Sequence, residues 1–175
     1  MLKTQTPSSG LLFASFLYRR DIFDKKELVF FWERHFGLSF TYEPLFHPLM
    51  DYYAKEMGSD LHRFFILTSQ SYSREALLST KLLSLEWEQN WSKDDLRRVN
   101  VDIGFLSLEN FILSTTKNYS HRVFIGHNIF ADLTYVFQKG EFEPLPWTYP
   151  DYLDLDKKHF LTWGRGFLLQ NGKSS

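Results

Sequence analysis

Residues 11–37 read LLFASFLYRRDIFDKKELVFFWERHFG, and this stretch decides the fold. Leu11 to Tyr18 is continuous and apolar, the pattern of a buried strand. Asp24 then opens a helix, with Glu27 three residues on as in a capping box. Leu28, Phe31, Trp32 and His35 recur at helical spacing and form one apolar stripe, and Gly37 closes the helix. A buried strand followed by a one-sided helix begins an α+β order that the rest of the chain continues.

Ser39 to Phe46 reads as a second strand closed by Pro48, and Arg63 to Thr68 as a third. Between them runs a polar and aromatic connection holding Asp51, Tyr52, Tyr53, Glu56, Met57 and Gly58. Ser73 caps a second helix that reaches about Trp91, with Leu78, Leu82 and Leu85 on its buried face. Arg98 to Ile103 is a fourth strand ending at Gly104. The order βαββαβ is that of a ferredoxin-like fold.

The chain then extends that core. Leu108, Phe111, Ile112 and Thr115 have helical spacing and predict a short helix. His121 to Ile125 and Ile129 to Phe137 read as strands joined by the loop Gly126-His127-Asn128. Lys139-Gly140 is the next turn, leading into Glu141 to Leu145. A last helix spans Leu155 to Leu169, weakened by Gly164 and Gly166. With no repeat and no linker, the expectation is a single α+β domain over 1–175, with an ordered core at about 10–170.

Composition narrows the function classes. The 175 residues carry 20 basic against 21 acidic side chains, so a non-specific nucleic-acid binder is not expected. Cysteine is absent, which removes disulfides and thiol chemistry and fits a reducing compartment. Aromatic residues make up 18% of the chain, and their first use is a core of large side chains. No segment approaches the roughly 20 apolar residues that span a bilayer. Leu11 to Leu17 is followed by Tyr18, Arg19 and Arg20 rather than by the small residues of a secretory signal, so the stretch reads as the first strand.

The phosphate loop G-x-x-x-x-G-K-[ST], the G-x-G-x-x-G turn, H-E-x-x-H and G-x-S-x-G are all missing. Ionisable residues instead gather in two stretches at strand ends, where open sheets hold their ligands. One is Arg97 to Gly104, the other Ser114 to Arg122. They supply Arg98, Asn100, Lys117 and Arg122 as candidate ligand-binding residues, joined by Arg63. His121 and Asp102 are the candidate catalytic pair for moving a proton. A third stretch, Leu145 to Tyr152, is dense in aromatics between two prolines; it reads as a plug on the sheet edge or a lid turning Tyr149 and Asp151 inward.

Structural roles compete for the same residues. Counting back from the hairpin loop puts Ile125 opposite Ile129 and Arg122 opposite Asp132, a cross-strand ion pair. Asp102 before Gly104 serves equally to shape a turn. His47, Asp51 and Glu56 lie close in sequence, as do His127 and Asp132, but neither spacing fixes a metal geometry, and no metal site is assigned.

From about Leu11 to Leu169 the chain resembles a bacterial family, domain-of-unknown-function family 4416. The residues that carry the likeness are Asp51-Tyr52-Tyr53, Glu56-Met57-Gly58, Arg98-Val99-Asn100-Val101-Asp102 with Gly104, Ser114, Lys117, Ser120-His121-Arg122 and Pro146 to Tyr152. The chain departs from the family pattern at Ile103, Phe105, Asn118 and Asp132. The resemblance implies a bacterial cytoplasmic protein and supplies no activity or cofactor. Family members often carry the label "GTP-binding protein", which no phosphate loop in this sequence accompanies.

Two expectations follow. The first is an enzyme or binder of a small phosphorylated ligand or nucleotide, with Arg63, Arg98, Lys117 and Arg122 on the phosphate and His121 with Asp102 on a proton. The second is a non-catalytic module that contacts a protein or structured RNA through an exposed apolar patch.

Overall fold

The computed structural model describes residues 5–44, 50–94 and 96–171. One antiparallel sheet of eight strands, with four α-helices on its two faces, makes up the domain. Strand β1 (Leu11–Arg19) lies near its middle and pairs with two neighbours, which is why it is buried from Leu11 to Tyr18 and apolar there but for Ser15. Helix α1 (Lys25–Phe36) starts at Asp24, where the expected capping box is present. Gly37 follows it at φ 73°, a conformation open to glycine at little steric cost.

Strand β2 (Ser39–Tyr42) is shorter than expected, and the stretch up to Phe46 and Pro48 lies outside the described residues. The connection read as irregular contains a helix, α2 (Met50–Met57). Strand β3 (Leu61–Thr68) leads to helix α3 (Ala76–Trp91). Its buried residues are Leu77, Thr80, Lys81, Ser84 and Trp87, one position off the expected leucine stripe. Polar groups can face inward there because they have partners: Lys81 Nζ donates to the Val101 carbonyl at 3.2 Å, and Ser84 donates back to the Lys81 carbonyl.

Strand β4 (Val99–Leu106) turns directly into strand β5 (Asn110–Thr115), so the short helix expected over 108–115 is a strand. Ser107 makes the turn, accepting from the Asn110 and Glu109 amides. Phe111 is then buried edge-on against Phe13 at 4.9 Å, and that packing overrides the helical spacing.

Strands β6 (Val123–Gly126) and β7 (Ile129–Gln138) form the expected hairpin. Its turn is the pair His127-Asn128, both at positive φ, and Gly126 rather than Ile125 faces Ile129. The irregularity between Phe124 and Gly126 restores the count, so Val123 faces Ala131 as expected. Strand β8 (Glu141–Pro144) pairs with β7, and helix α4 (Leu155–Asn171) ends the described chain.

The strand order is β2-β3-β1-β4-β5-β7-β6, with β8 also on β7. Helices α1 and α3 cover one face, setting Trp32 and Trp87 in the same core as Phe16, Phe64 and Val101 of the sheet. Phe16 and Phe64 stack there at 5.0 Å, so much of the aromatic excess is core. Helix α4 packs on the other face over Phe13, Phe65, Phe111 and Tyr135, and α2 covers Leu17 and Leu61. No helix among the described residues is long and apolar enough to cross a membrane.

Candidate functional site

Strands β4 and β5 pair only over Gly104–Leu106 and Phe111–Leu113, then part. At Gly104 a side chain would press on the Phe111 ring and the Ile112 carbonyl, so glycine permits the last close approach. Beyond it the exposed edge of β4 is served by side chains instead of a strand. Glu88 accepts from the Val101 amide at 2.7 Å, Lys81 donates to the Val101 carbonyl, and Ser114 donates to the Ile103 carbonyl at 2.9 Å.

A cleft of about 670 Å³ opens at this parting, in the range of small-molecule sites. Tyr52, Tyr53 and Glu56 of α2, Lys81, Leu85 and Glu88 of α3, and Asn100 and Asp102 of β4 line it. So do Leu113 to Lys117, Tyr119, Arg122 and Asp132 from the β5 to β7 region, and Tyr149, Asp151 and Tyr152 from the segment before α4.

The register explains the floor. Leu17 faces both Arg63 and Asn100, and Ser15 faces both Phe65 and Asp102, so these side chains share one face of the sheet. Arg63 is buried one layer below the cleft. Its Nη1 donates to Asp151 Oδ2 at 2.8 Å, and its guanidinium lies 5.5 Å from the Tyr53 ring. Burial works against its charge, and Asp151 restores it, so the Arg63 pKa ends above the usual value. The Asp151 carbonyl accepts from Lys157, whose pKa burial lowers to about 8. Burial first and Asp102 second raise the Tyr53 hydroxyl to about 12, and the same causes raise Tyr152 further.

Arg122 closes the opposite part of the lining. It donates to Asp132 at 2.7 Å, to the Lys117 carbonyl at 2.9 Å and to the Tyr149 hydroxyl at 3.4 Å. Its guanidinium also stacks on Tyr119 at 4.5 Å. The cross-strand pair with Asp132 is therefore present, and it forms part of the cleft wall.

Six of the nine candidate residues line the cleft: Asn100, Asp102, Lys117, Arg122, Tyr149 and Asp151. Three do not. Arg63 stands behind the wall. Arg98 is absent from the lining; its neighbour Arg97 enters it, donating to Asn100 at 2.8 Å and Glu56 at 2.9 Å. His121 stacks on Trp147 at 5.0 Å, with Nε2 3.4 Å from Asp132 and no hydrogen bond. It lies outside the lining that holds Asp102, and touches that lining through Asp132.

Sequence reading missed Lys81 and Glu88 of α3, and Arg97, one residue from the chosen arginine. Tyr52, Tyr53 and Glu56 were visible only as a motif without a helix to place them. Among the described residues, no group of three or more His, Asp or Glu side chains is set to hold a metal ion.

Buried polar atoms without partners gather at this place. Among the described residues they include Arg63 Nε and Nη2, Arg97 Nε, Asn100 Nδ2, Ser15 Oγ, Asp151 Oδ1 and the Tyr152 hydroxyl. Buried donors and acceptors are normally paired, so the concentration marks where a ligand or water would complete the structure.

No curated protein and no solved structure matches the chain. The family described as Domain of unknown function (DUF4416) matches residues 9–167, nearly the whole sequence, and the chain belongs to that family.

Proposed function

We propose that the cleft binds a small phosphorylated ligand. The observation that carries the reading is the kind of atom left unpaired. In the lining itself Arg97 Nε and Asn100 Nδ2 are donors without acceptors, against one acceptor-only oxygen, on Asp151, and Arg63 behind the wall leaves Nε and Nη2 unmet as well. A site short of acceptors calls for a ligand rich in them, and phosphate oxygens are the strongest such group. Lys117 adds an exposed ammonium with no carboxylate partner among the described residues.

Charge sets the size of the anion. With Arg63 included, the cations Lys81, Arg97, Lys117 and Arg122 are matched by Glu56, Glu88, Asp102, Asp132 and Asp151. A balanced site suits one phosphate monoester better than a triphosphate, whose charge would need further cations. Asp102 is the acid or base placed to act on such a ligand, whereas His121 keeps a packing role.

The order of β2, β3, β1 and β4, all antiparallel, with α1 and α3 on one face, supports a ferredoxin-like reading of the first half. A cytoplasmic setting accords with the absence of cysteine.

A second reading, an interaction module, is favoured by Val123 and Phe124 on the edge strand β6, which are 67% and 61% exposed. Calorimetric titration with inorganic phosphate separates the two. The cleft reading expects binding that weakens about ten-fold in Lys117→Ala and Arg97→Ala, while Phe124→Ser leaves it unchanged. Absence of phosphate binding in a folded protein defeats it.

A further inference from the structure

The cleft also holds acceptors that a phosphate cannot use. Asp102 lines it without a hydrogen bond or ion pair among the described residues. Directly across on β1, beneath the lining, is Ser15, fully buried and set beside the Tyr152 hydroxyl. Asp151 Oδ1 and the Tyr152 hydroxyl are unpartnered as well. A dianion set against Asp102 would be repelled, so whatever faces that carboxylate must donate hydrogen bonds.

Three chemistries donate: an ammonium, the edge of a nucleobase and a hydroxyl. A nucleobase wants an open slot between aromatic faces. Tyr52 and Tyr53 instead meet edge to face, at 5.4 Å and 85°. Tyr53, Tyr119 and Tyr149 each have an arginine against the ring, Arg63 on the first and Arg122 on the other two. An ammonium would satisfy Asp102 and leave the Asn100 donor unanswered, because it carries no acceptor. A hydroxyl gives one hydrogen bond and takes others, so neighbouring hydroxyls on one ligand can meet Asp102 and Asn100 together.

We infer that the ligand is a sugar phosphate, whose hydroxyls are read by Asp102 and Asn100 on β4 while the phosphate lies toward Lys117 and Arg97. This rests on the phosphate reading above and adds the class of the remainder. A volume of about 670 Å³ far exceeds what a lone phosphate fills and leaves room for a pentose or hexose.

The test is calorimetric titration of the full chain with four probes: inorganic phosphate, a set of pentose 5-phosphates, a set of hexose 6-phosphates, and adenosine 5′-monophosphate. At least one sugar phosphate is expected to bind ten-fold or more tightly than inorganic phosphate. Adenosine monophosphate should bind no more tightly than ribose 5-phosphate. Asp102→Ala should weaken the sugar phosphate at least ten-fold and change inorganic phosphate by less than two-fold. Asp102→Asn, which keeps the shape and one acceptor, should fall between, and it carries the test if the alanine variant fails to fold. If inorganic phosphate binds and no sugar phosphate binds more tightly, the sugar inference falls while the phosphate reading stands. A ten-fold preference for adenosine monophosphate over ribose 5-phosphate overturns it in favour of a base. If no probe binds, the phosphate reading fails and this inference with it.

Discussion

Arg63 meets Asp151 through a single hydrogen bond from Nη1, at 2.8 Å, and its other edge, Nε with Nη2, faces no acceptor. The contact joins β3 to the segment that walls the cleft before α4. It fixes Asp151 from below, and Lys157 fixes the same residue through its carbonyl. The cleft wall is thus tied to both the sheet and the last helix.

Breaking that pair on one side leaves a buried charge alone. Arg63→Leu or Asp151→Ala should each destabilise the fold by about 3–5 kcal/mol. Arg63→Met combined with Asp151→Asn should cost less than the sum of its parts. Urea denaturation of the three variants decides whether the pair acts as a unit.

Lys157 gives the fold a pH dependence in the alkaline range. Its folded pKa is lowered to about 8 from 10.5, chiefly by burial, so the unfolded chain binds the extra proton between those values. Stability should therefore rise as pH increases from about 8 toward 10, once the buried ammonium has given up its charge. Lys157→Met should remove this rise. Thermal midpoints at pH 7.5 and 9.5, compared between the two proteins, measure it.

The two glycines of α4 should respond differently to alanine. Nothing lies within 4 Å of a side-chain carbon built at Gly166, so Gly166→Ala should stabilise the helix by about 0.5–1 kcal/mol. At Gly164 the added carbon meets Leu67 and Leu106 at 2.8 Å. That crowding should cancel or reverse the helix gain. Chemical denaturation of both variants gives the comparison.

His121 and Arg98 test where the site ends. Because both lie outside the cleft lining, His121→Ala and Arg98→Ala should leave phosphate affinity within two-fold of the parent. His121→Ala should still cost about 1 kcal/mol of stability through the lost stack on Trp147. Titration and denaturation on the same samples separate the two effects.

What could be read from the sequence was what local rules govern. The Asp24 cap, the Gly37 stop and the Arg122–Asp132 pair follow from spacing along one helix or one hairpin. The strand at Asn110–Thr115 did not, because a burial demand from Phe13, far away in sequence, decides it. Lys81 and Glu88 were hidden for a related reason. A lysine is assigned to a helix's wet face unless one knows that the edge of β4 stands open for it to cap. Arg97 was passed over for Arg98, and it is Arg97 that reaches the lining, through Asn100 and Glu56.

The most direct test of the central claim is a thermal-shift titration of the purified chain with phosphate monoesters. A ligand at a hundred times its dissociation constant stabilises a fold by about 2.7 kcal/mol. For a domain of this size that moves the midpoint by roughly 5–10 °C. The account predicts such a shift for at least one monoester, and its loss in Lys117→Ala and Asn100→Ala variants that remain folded. A midpoint that does not move with any monoester, or a shift that survives both substitutions, would contradict it.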